Sequence, residues 1–199
     1  MELDFIQLTP QQRYKLLAGL IVPRPIALVT SRDAEGNLNA APFSFFNCVG
    51  SDPALVILSV GNRAADTPKD TAANIETTGA FVVNMVDEPM AERMNATAGP
   101  FPPEVNELDE VGFASADMPG IDIPRIAESP ASFACRHHST QHIGNNRIIL
   151  GEVTAAFVRD GLVDPASLRV DVTRLTMVGR MASPGWYCRT TDRFELDRP

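Results

Sequence analysis

The chain has 199 residues, of which 44% are hydrophobic and 21% charged, an ordinary composition for a globular protein with a substantial core. Its formal net charge of −8 argues against a nucleic acid or an anionic membrane surface as the main partner. No apolar run approaches the length of a transmembrane helix, and the first residues lack the basic and apolar regions of a signal peptide. We therefore expect a cytoplasmic protein that binds neither nucleic acid nor membrane.

The first half of the chain predicts one helix followed by several strands. Thr9 and Pro10 open a helix that closes at Gly19 and Leu20. Apolar, β-branched segments bounded by turn residues predict strands at 25–31, 39–49, 54–60 and 80–85. The turn residues at 33–36 indicate that the first two strands form a hairpin.

The second half predicts a helix, a long excursion and three more strands. In the helix at 88–98, Met90, Met94 and Ala98 share one face, which is typical of core filling. Residues 99–130 are rich in proline and acidic side chains and predict a long loop with one short helix near 105–110, as in a lid, binding loop or intersubunit arm. Strands follow at 131–138, 147–158 and 176–182, with Gly151 suited to a bulge or bend, and a tail at 184–199 ends the chain.

These elements predict a mainly β fold in one domain over residues 1–199. Strands joined by hairpins, with helices at the start and between strands, favour a closed or partly closed barrel with flanking helices. The sequence contains no G-x-G-x-x-G, Walker or G-x-S-x-G motif, so standard dinucleotide binding, P-loop binding and a serine nucleophile elbow are not predicted.

The cysteines and histidines do not predict a metal site. Cys48, Cys135 and Cys188 are widely separated, form no C-x-x-C pair and lie in or beside apolar segments, so we predict plain burial. Neighbouring residues of a strand point to opposite faces, so His137 and His138 do not readily share an ion. His142, expected in the turn before the strand at 147–158, is the better candidate for a proton donor or a nicotinamide contact.

A candidate anion site lies between the strand at 54–60 and the helix that follows. Thr67 is the predicted N-cap, Pro68 the first helical residue, and Asp70 stands three positions after the cap. A helix N-terminus presents free N–H groups and a positive dipole end, which suit a phosphate. The side chains that would add to it are those of Arg63, Lys69 and Thr71. An ordinary capped helix with solvated charges remains the alternative interpretation.

A second candidate segment is 39–46. Its small residues Ala40, Ala41 and Ser44 would let a flat heteroaromatic ring approach the backbone, and Pro42 removes one backbone donor. The same residues also fit an edge strand that contains a proline and ordinary core phenylalanines. Both interpretations stay open on these residues alone.

Taken in order, five segments of the chain resemble the flavin reductase-like, FMN-binding split-barrel family, most closely its flavoredoxin-type members. The segments are 23–31, 33–46, 69–75, 81–84 and 151–153. The first two, combined with the Lys-Asp-Thr sequence at 69–71, carry the specificity. One departure concerns the histidine that related sequences often hold before the Gly-Glu-Val strand, because Asn145 and Asn146 stand there in this chain.

The resemblance implies a six-stranded antiparallel Greek-key split barrel and a homodimer with FMN in a groove near the dimer interface. The residues implied at the phosphate end are Ser59, Gly61, Arg63, Lys69, Asp70 and Thr71. Those implied to hold the flavin ring are Thr30, Ser31, Asn39, Ala40, Ser44 and Phe45. The length of the 99–130 excursion and of the tail also favours a homodimer.

The implied activity is hydride transfer from NADH or NADPH to the flavin, with no dedicated catalytic residue. Reduced flavin, or its electrons, would pass to a partner oxygenase or another electron acceptor. The alternative is an FMN-binding carrier or sensor that turns over no nicotinamide. A third interpretation, a split barrel with a decayed flavin site, is disfavoured because Arg63, Lys69 and Thr71 are retained.

Overall fold

The computed structural model describes residues 1–102 and 105–197. Residues 103–104 of the predicted excursion and 198–199 of the predicted tail therefore lie outside the described residues. The α-helices are α1 (Pro10–Leu20), α2 (Asp70–Thr78), α3 (Ala91–Ala96) and α4 (Glu107–Val111). None of the helices in the described ranges is long and apolar enough to cross a membrane.

Eleven strands are present in the described residues. They are β1 (Ala27–Arg32), β2 (Leu38–Phe43), β3 (Phe46–Ser51), β4 (Ala54–Gly61), β5 (Ala80–Met85), β6 (Ser115–Met118), β7 (Ile121–Ile126), β8 (Ala131–Ile143), β9 (Asn146–Val158), β10 (Val178–Arg180) and β11 (Tyr187–Arg189). Seven of them form one sheet in the order β2-β1-β5-β8-β9-β4-β3, and every neighbouring pair is antiparallel.

The main sheet has seven strands, so the predicted count of six is wrong. The predicted strand at 39–49 is in fact two strands, because the chain turns at Ser44 and Phe45 between β2 and β3. These two strands lie at opposite ends of the sheet order although only two residues separate them, so the sheet must curl to bring its ends together. No hydrogen-bonded pairing closes the barrel within the described ranges.

The core is built on both sides of this curled sheet. On one side, Ala72 and Ile75 of α2 pack against Val56, Leu58 and Phe81, all of them buried. On the other side, Met90 and Met94 are buried with Leu28, Ala40, Leu108 and Ile126, which confirms their prediction as core residues. Together these contacts fix α2, β2 and α4 around one region of the surface.

The excursion contains more structure than the sequence predicted. Its short helix is α4, capped by the side chain of Asn106, which accepts from the N–H of Leu108 at 3.1 Å. A hairpin of β6 and β7 follows, with Gly120 in its turn at φ 79°, a conformation that glycine adopts without strain. The hairpin packs against β5 and β1 and covers the buried cluster of Val82, Met118 and Ile123.

Several other boundaries differ from the predictions. Strand β8 runs on to Ile143, so His142 lies in a strand opposite Arg147, and the prediction of a turn there is wrong. The last predicted strand shortens to β10, and β11 lies within the predicted tail. Of the three cysteines, Cys135 is buried, Cys188 is half-buried and Cys48 is exposed on β3, so the prediction of burial is wrong for Cys48.

Candidate functional site

A cleft of about 420 Å³ opens where β2, the start of α2 and the chain after α3 meet. We call it the main cleft. Its lining residues are Asn39, Ala41, Pro42, Phe43, Arg63, Lys69, Asp70, Thr71, Thr97, Ala98, Gly99, Pro100, Phe101 and Glu107. Five of the twelve predicted site residues therefore lie together in it, and they come from two segments far apart in the sequence.

The N-terminus of α2 faces this cleft, but it does not begin where the sequence predicted. The N-cap is Lys69, whose carbonyl accepts from the N–H groups of Ala72 and Ala73 at 3.0 and 3.1 Å. The prediction of Thr67 as N-cap and Pro68 as the first helical residue is wrong, because the Thr67 carbonyl is engaged in a tight turn by the N–H of Arg63 at 2.9 Å. Lys69 and Asp70, two residues of the predicted anion site, nevertheless lie at the start of the helix.

The start of α2 has backbone donors that its own side chains do not satisfy. Within the part of the chain that the structure describes, no side-chain hydrogen bond caps the helix at Lys69. In a helix of nine residues the first N–H groups, including those of Asp70 and Thr71, have no acceptor within the helix. With the positive end of the helix dipole, they favour an anion in the cleft.

Two cations lie beside these donors, and they differ in whether an acidic side chain pairs with them. Arg63 forms an ion pair with Asp70, so its charge is largely balanced within the protein. Lys69 has no acidic side chain within ion-pair distance among residues 1–102 and 105–197. Lys69 is therefore the cation most available to a ligand phosphate.

A second cleft of about 300 Å³ continues from the main cleft, and we call it the side cleft. The two clefts share Pro42, Phe43 and Lys69. The other residues that line the side cleft are Tyr14, Ser44, Phe45, Ser59, Gly61 and Asn146. Four further predicted residues thus lie beside the main cleft, with Lys69 at the junction.

The remaining three predicted residues are not brought to either cleft. Thr30 is buried and donates to the carbonyl of Pro124 at 2.7 Å, on the face of β1 that the β6–β7 hairpin covers. Ser31 points to the opposite face, where its hydroxyl accepts from the Asn74 side chain at 3.2 Å. Ala40 is buried in the second core cluster. The side chains of these residues support the walls of the site from behind.

His142 lies outside both clefts. It is largely exposed, and its Nε2 lies 3.1 Å from a carboxylate oxygen of Glu76 on α2. Glu76 also contacts Arg147, which in turn donates to the side chain of Asn62 in the loop before α2. This group of side chains braces the loop that carries Arg63, so the geometry does not favour the predicted role of His142 as a proton donor.

Sequence reasoning missed Glu107, which lies at the inner end of the main cleft. Its residue is only 8% exposed, and its Oε2 accepts from the backbone N–H of Ala40 at 2.8 Å. Burial raises the pKa of the Glu107 carboxyl, against the smaller lowering effect of that hydrogen bond. Residues 97–101, which also line the cleft, were missed as well, since they span the end of the predicted helix at 88–98 and the start of the excursion.

Asn39 connects this carboxyl to the helix start. With its amide nitrogen turned toward Glu107, Asn39 donates to Oε1 at 3.2 Å and accepts from the Thr71 hydroxyl at 3.0 Å. A chain of polar contacts thus runs from α4 through β2 to the first turn of α2. It holds three separate elements of the site in one arrangement.

The residues of the two clefts fit a flavin mononucleotide in charge and chemistry. The uncapped start of α2 and the free ammonium of Lys69 suit a terminal phosphate. Phe43 and Phe45 supply apolar surface, and Ser44 and Ser59 supply hydroxyl groups, in the clefts that meet at Lys69. Such a mixture of apolar walls and a few polar groups is typical of cofactor sites.

Comparison with known families identifies the relationship. The family model described as "Flavin reductase like domain" matches residues 19–177, which is most of the chain. This span contains both clefts except Tyr14, and it contains all twelve predicted site residues.

Solved structures show the same similarity over the whole chain. The 2-nitrobenzoate 2-nitroreductase of Pseudomonas fluorescens is 40% identical, with a TM-score of 0.91 over 100% of this chain and 96% of that one. Nitrilotriacetate monooxygenase component B from Bacillus cereus is 30% identical, with a TM-score of 0.92 over 98% of both chains. A split-barrel protein of Shewanella frigidimarina, only 19% identical but with a TM-score of 0.86 over 100% of both chains, shares the fold.

Proposed function

Because the chain belongs to the flavin reductase-like family, we propose that it binds FMN in the two clefts and transfers a hydride from NADH or NADPH to it. The observation that carries this proposal is a helix start without a side-chain cap together with Lys69 at the junction of the clefts, whose ammonium has no acidic partner among the described residues. A terminal monophosphate, which FMN has and riboflavin lacks, is the ligand group that satisfies both.

The protein's own residues would bind and orient the cofactor. Lys69 and the N–H groups of Asp70 and Thr71 would hold the phosphate, while Asp70 keeps Arg63 at the rim through their ion pair. The walls formed by Phe43 and Phe45 would exclude water from one side of the ring. When bound, the flavin itself supplies the capacity to accept a hydride and to pass electrons on singly or in pairs.

The acceptor of those electrons is the open part of the proposal. One similar structure is named as a 2-nitrobenzoate 2-nitroreductase and another as component B of a nitrilotriacetate monooxygenase. We propose that this chain delivers reduced flavin or electrons to an acceptor, such as a partner oxygenase. The three free cysteines fit a reducing compartment, which supports our proposal of a cytoplasmic location.

The test is a flavin titration followed by a reduction experiment. Apoprotein is titrated with FMN, FAD and riboflavin, and quenching of flavin fluorescence gives the dissociation constants. We expect FMN to bind more tightly than either of the others. The FMN complex is then mixed anaerobically with NADH or NADPH in a stopped-flow instrument, and bleaching of the flavin absorbance reports hydride transfer.

The outcomes separate the two candidate functions. Reduction by either dinucleotide supports a flavin reductase. Tight FMN binding without reduction by NADH or NADPH would instead identify the carrier or sensor of the alternative interpretation. Equal or tighter binding of FAD would contradict the assignment of a monophosphate site.

A further inference from the structure

The Glu107 carboxyl is the titratable group that is most enclosed in the main cleft, and the proposed hydride transfer does not use it. It belongs to α4, yet its hydrogen bonds go to β2: Oε2 accepts from the N–H of Ala40, and Oε1 faces the Asn39 amide. Asn39 in turn bonds Thr71 in the first turn of α2. Asn39 therefore links the carboxyl to Thr71, one of the residues whose backbone N–H groups form the anion site.

The charges around Glu107 do not neutralise it. No cation lies within ion-pair distance of its carboxyl among the described residues. Across the cleft, Arg63 is already paired with Asp70, and Lys69 lines the same wall. Strand β2 carries no titratable side chain, and on α3 Arg93 is paired with Glu128 while Glu92 is exposed. The remaining acids of α4, Asp109 and Glu110, are exposed.

We propose that Glu107 is a positioning residue that makes monophosphate binding pH-dependent, with its neutral carboxyl as the form that favours the bound phosphate. This inference rests on the proposed FMN site. The neutral form keeps Asn39 and Thr71 in place through hydrogen bonds without adding a negative charge to the cleft. The ionised form keeps the same contacts but adds a negative charge to the cleft lining, which repels the phosphate.

The direction of the effect follows from the protonation equilibrium. The pKa of the Glu107 carboxyl is raised in the folded protein. The free energy of unfolding is therefore largest at low pH, where the carboxyl is neutral, and it decreases as the pH rises through that pKa. A bound phosphate opposes ionisation further and raises this pKa again. FMN affinity must therefore fall as Glu107 ionises.

The experiment compares the wild type with Glu107→Gln. Glutamine retains an oxygen for the Ala40 N–H and carries no charge at any pH. Its NH2 group donates to Asn39 once the Asn39 amide turns its oxygen toward it, and the Asn39 nitrogen then donates to the Thr71 hydroxyl at 3.0 Å. FMN and riboflavin dissociation constants are measured for both proteins from pH 5 to pH 8. The phosphate of FMN itself ionises near pH 6, so the ratio between the two proteins isolates the carboxyl.

We expect the advantage of Glu107→Gln over the wild type in FMN affinity to grow as the pH rises and to reach about three- to tenfold at pH 8. Riboflavin should bind both proteins equally throughout, since it has no phosphate to repel. Urea unfolding of the two apoproteins supplies a readout without flavin, in which the stability advantage of the variant should grow as the pH rises.

Two failures are distinguishable. If the wild type binds FMN but the variant follows a parallel pH curve, or binds FMN more weakly at pH 8, Glu107 does not have this role while the FMN site stands. If the wild type binds neither FMN nor riboflavin, the proposed function fails and this inference fails with it.

Discussion

Lys69 and Arg63 line the same cleft but differ in how available each is to bind a ligand phosphate. Arg63 already has a carboxylate partner in Asp70, so a ligand phosphate would have to compete for it. Lys69 has no such partner in the described part of the chain and reaches both clefts. At a helix N-terminus a cation is slightly unfavourable for the helix itself, so the position of Lys69 fits ligand binding better than helix stabilisation.

Substitution of Lys69 by alanine tests this assignment. A charge-assisted hydrogen bond to phosphate contributes about 1.5–3 kcal/mol, so FMN affinity should fall by about ten- to a hundredfold in Lys69→Ala. Riboflavin affinity should not change. The melting temperature of the apoprotein should stay the same or rise slightly, since Lys69 makes no side-chain cap bond. Fluorescence titration and thermal unfolding measure these quantities.

Lys15 provides a matched control. It is the only other lysine in the chain and lies exposed on α1. Lys15→Ala should leave FMN binding unchanged, which excludes a general effect of net charge. An equal loss of FMN and riboflavin affinity in Lys69→Ala would show that Lys69 acts through the fold or the ring.

At the scale of elements, strands that are marked by a local sequence pattern could be predicted, whereas strands that depend on pairing with distant segments could not. Strands β1, β4, β5 and β9 follow from β-branched runs bounded by proline, glycine and turn residues, and the structure confirms each within two residues. The β6–β7 hairpin and strand β11 were missed because they are short, and β7 contains Pro124; such segments become strands only through the partners they meet.

The candidate site follows the same division. The cations at the start of α2 were predictable because the residues that mark a helix N-terminus are adjacent in the sequence. Glu107 was not, since its contact with Ala40 joins residues 67 positions apart and depends on how the excursion folds back. The break between β2 and β3 was also missed, because the two residues at the turn, Ser44 and Phe45, are neither glycine nor proline.

Gly151 shows a sequence signal with a physical cause other than the predicted one. It is regularly paired in β9 with Val56, whereas the bulges lie on either side of it. A Cβ at this position would lie 2.4 Å from Cζ of Phe81 and 3.3 Å from Cβ of Cys135. Glycine is therefore needed so that the buried Phe81 ring can pack across the strand.

Gly151→Ala should accordingly destabilise the protein by about 1–3 kcal/mol, as overpacking of a core typically does. Urea unfolding measures the change. Gly185→Ala is the matched control, because nothing lies within 4 Å of a Cβ there, and it should change stability little. In a Phe81→Leu background the cost of Gly151→Ala should shrink, and an unchanged cost would contradict the proposed clash.

At the scale of the whole molecule, one side of the curled sheet carries an exposed apolar surface. Strand β3 is an edge of the sheet and is exposed along most of its length. Beside it, α1 exposes Leu17 and Leu20, and the residue that follows the helix, Ile21, is exposed as well. Phe45 packs near Tyr14 with ring centroids 6.1 Å apart. We call this region the α1–β3 surface. Apolar surfaces of this kind commonly mark an interface between proteins.

We propose that the α1–β3 surface is the homodimer interface that the family resemblance implied. It adjoins the side cleft, which Tyr14 and Phe45 both line, so a second copy would also shield the bound cofactor from water. Symmetric pairing of one patch with its copy is the commonest way for a chain to form a dimer. The predicted involvement of the excursion and the tail stays a prediction.

Light scattering at micromolar concentration should give about 43 kDa, twice the chain mass of 21.6 kDa. Leu20→Glu places a charge on the proposed interface at a side chain that is 76% exposed, so it should shift the mass toward the monomer without unfolding the chain. Leu168 is equally exposed, at 76%, but belongs to the loop between β9 and β10, so Leu168→Glu should leave the dimer intact. If the wild type is monomeric, the dimer does not exist, and if Leu168→Glu dissociates it while Leu20→Glu does not, the interface lies elsewhere. Because the side cleft adjoins this surface, dissociation should also weaken riboflavin and FMN binding in equal measure, which distinguishes the loss of the interface from the loss of the phosphate contact at Lys69.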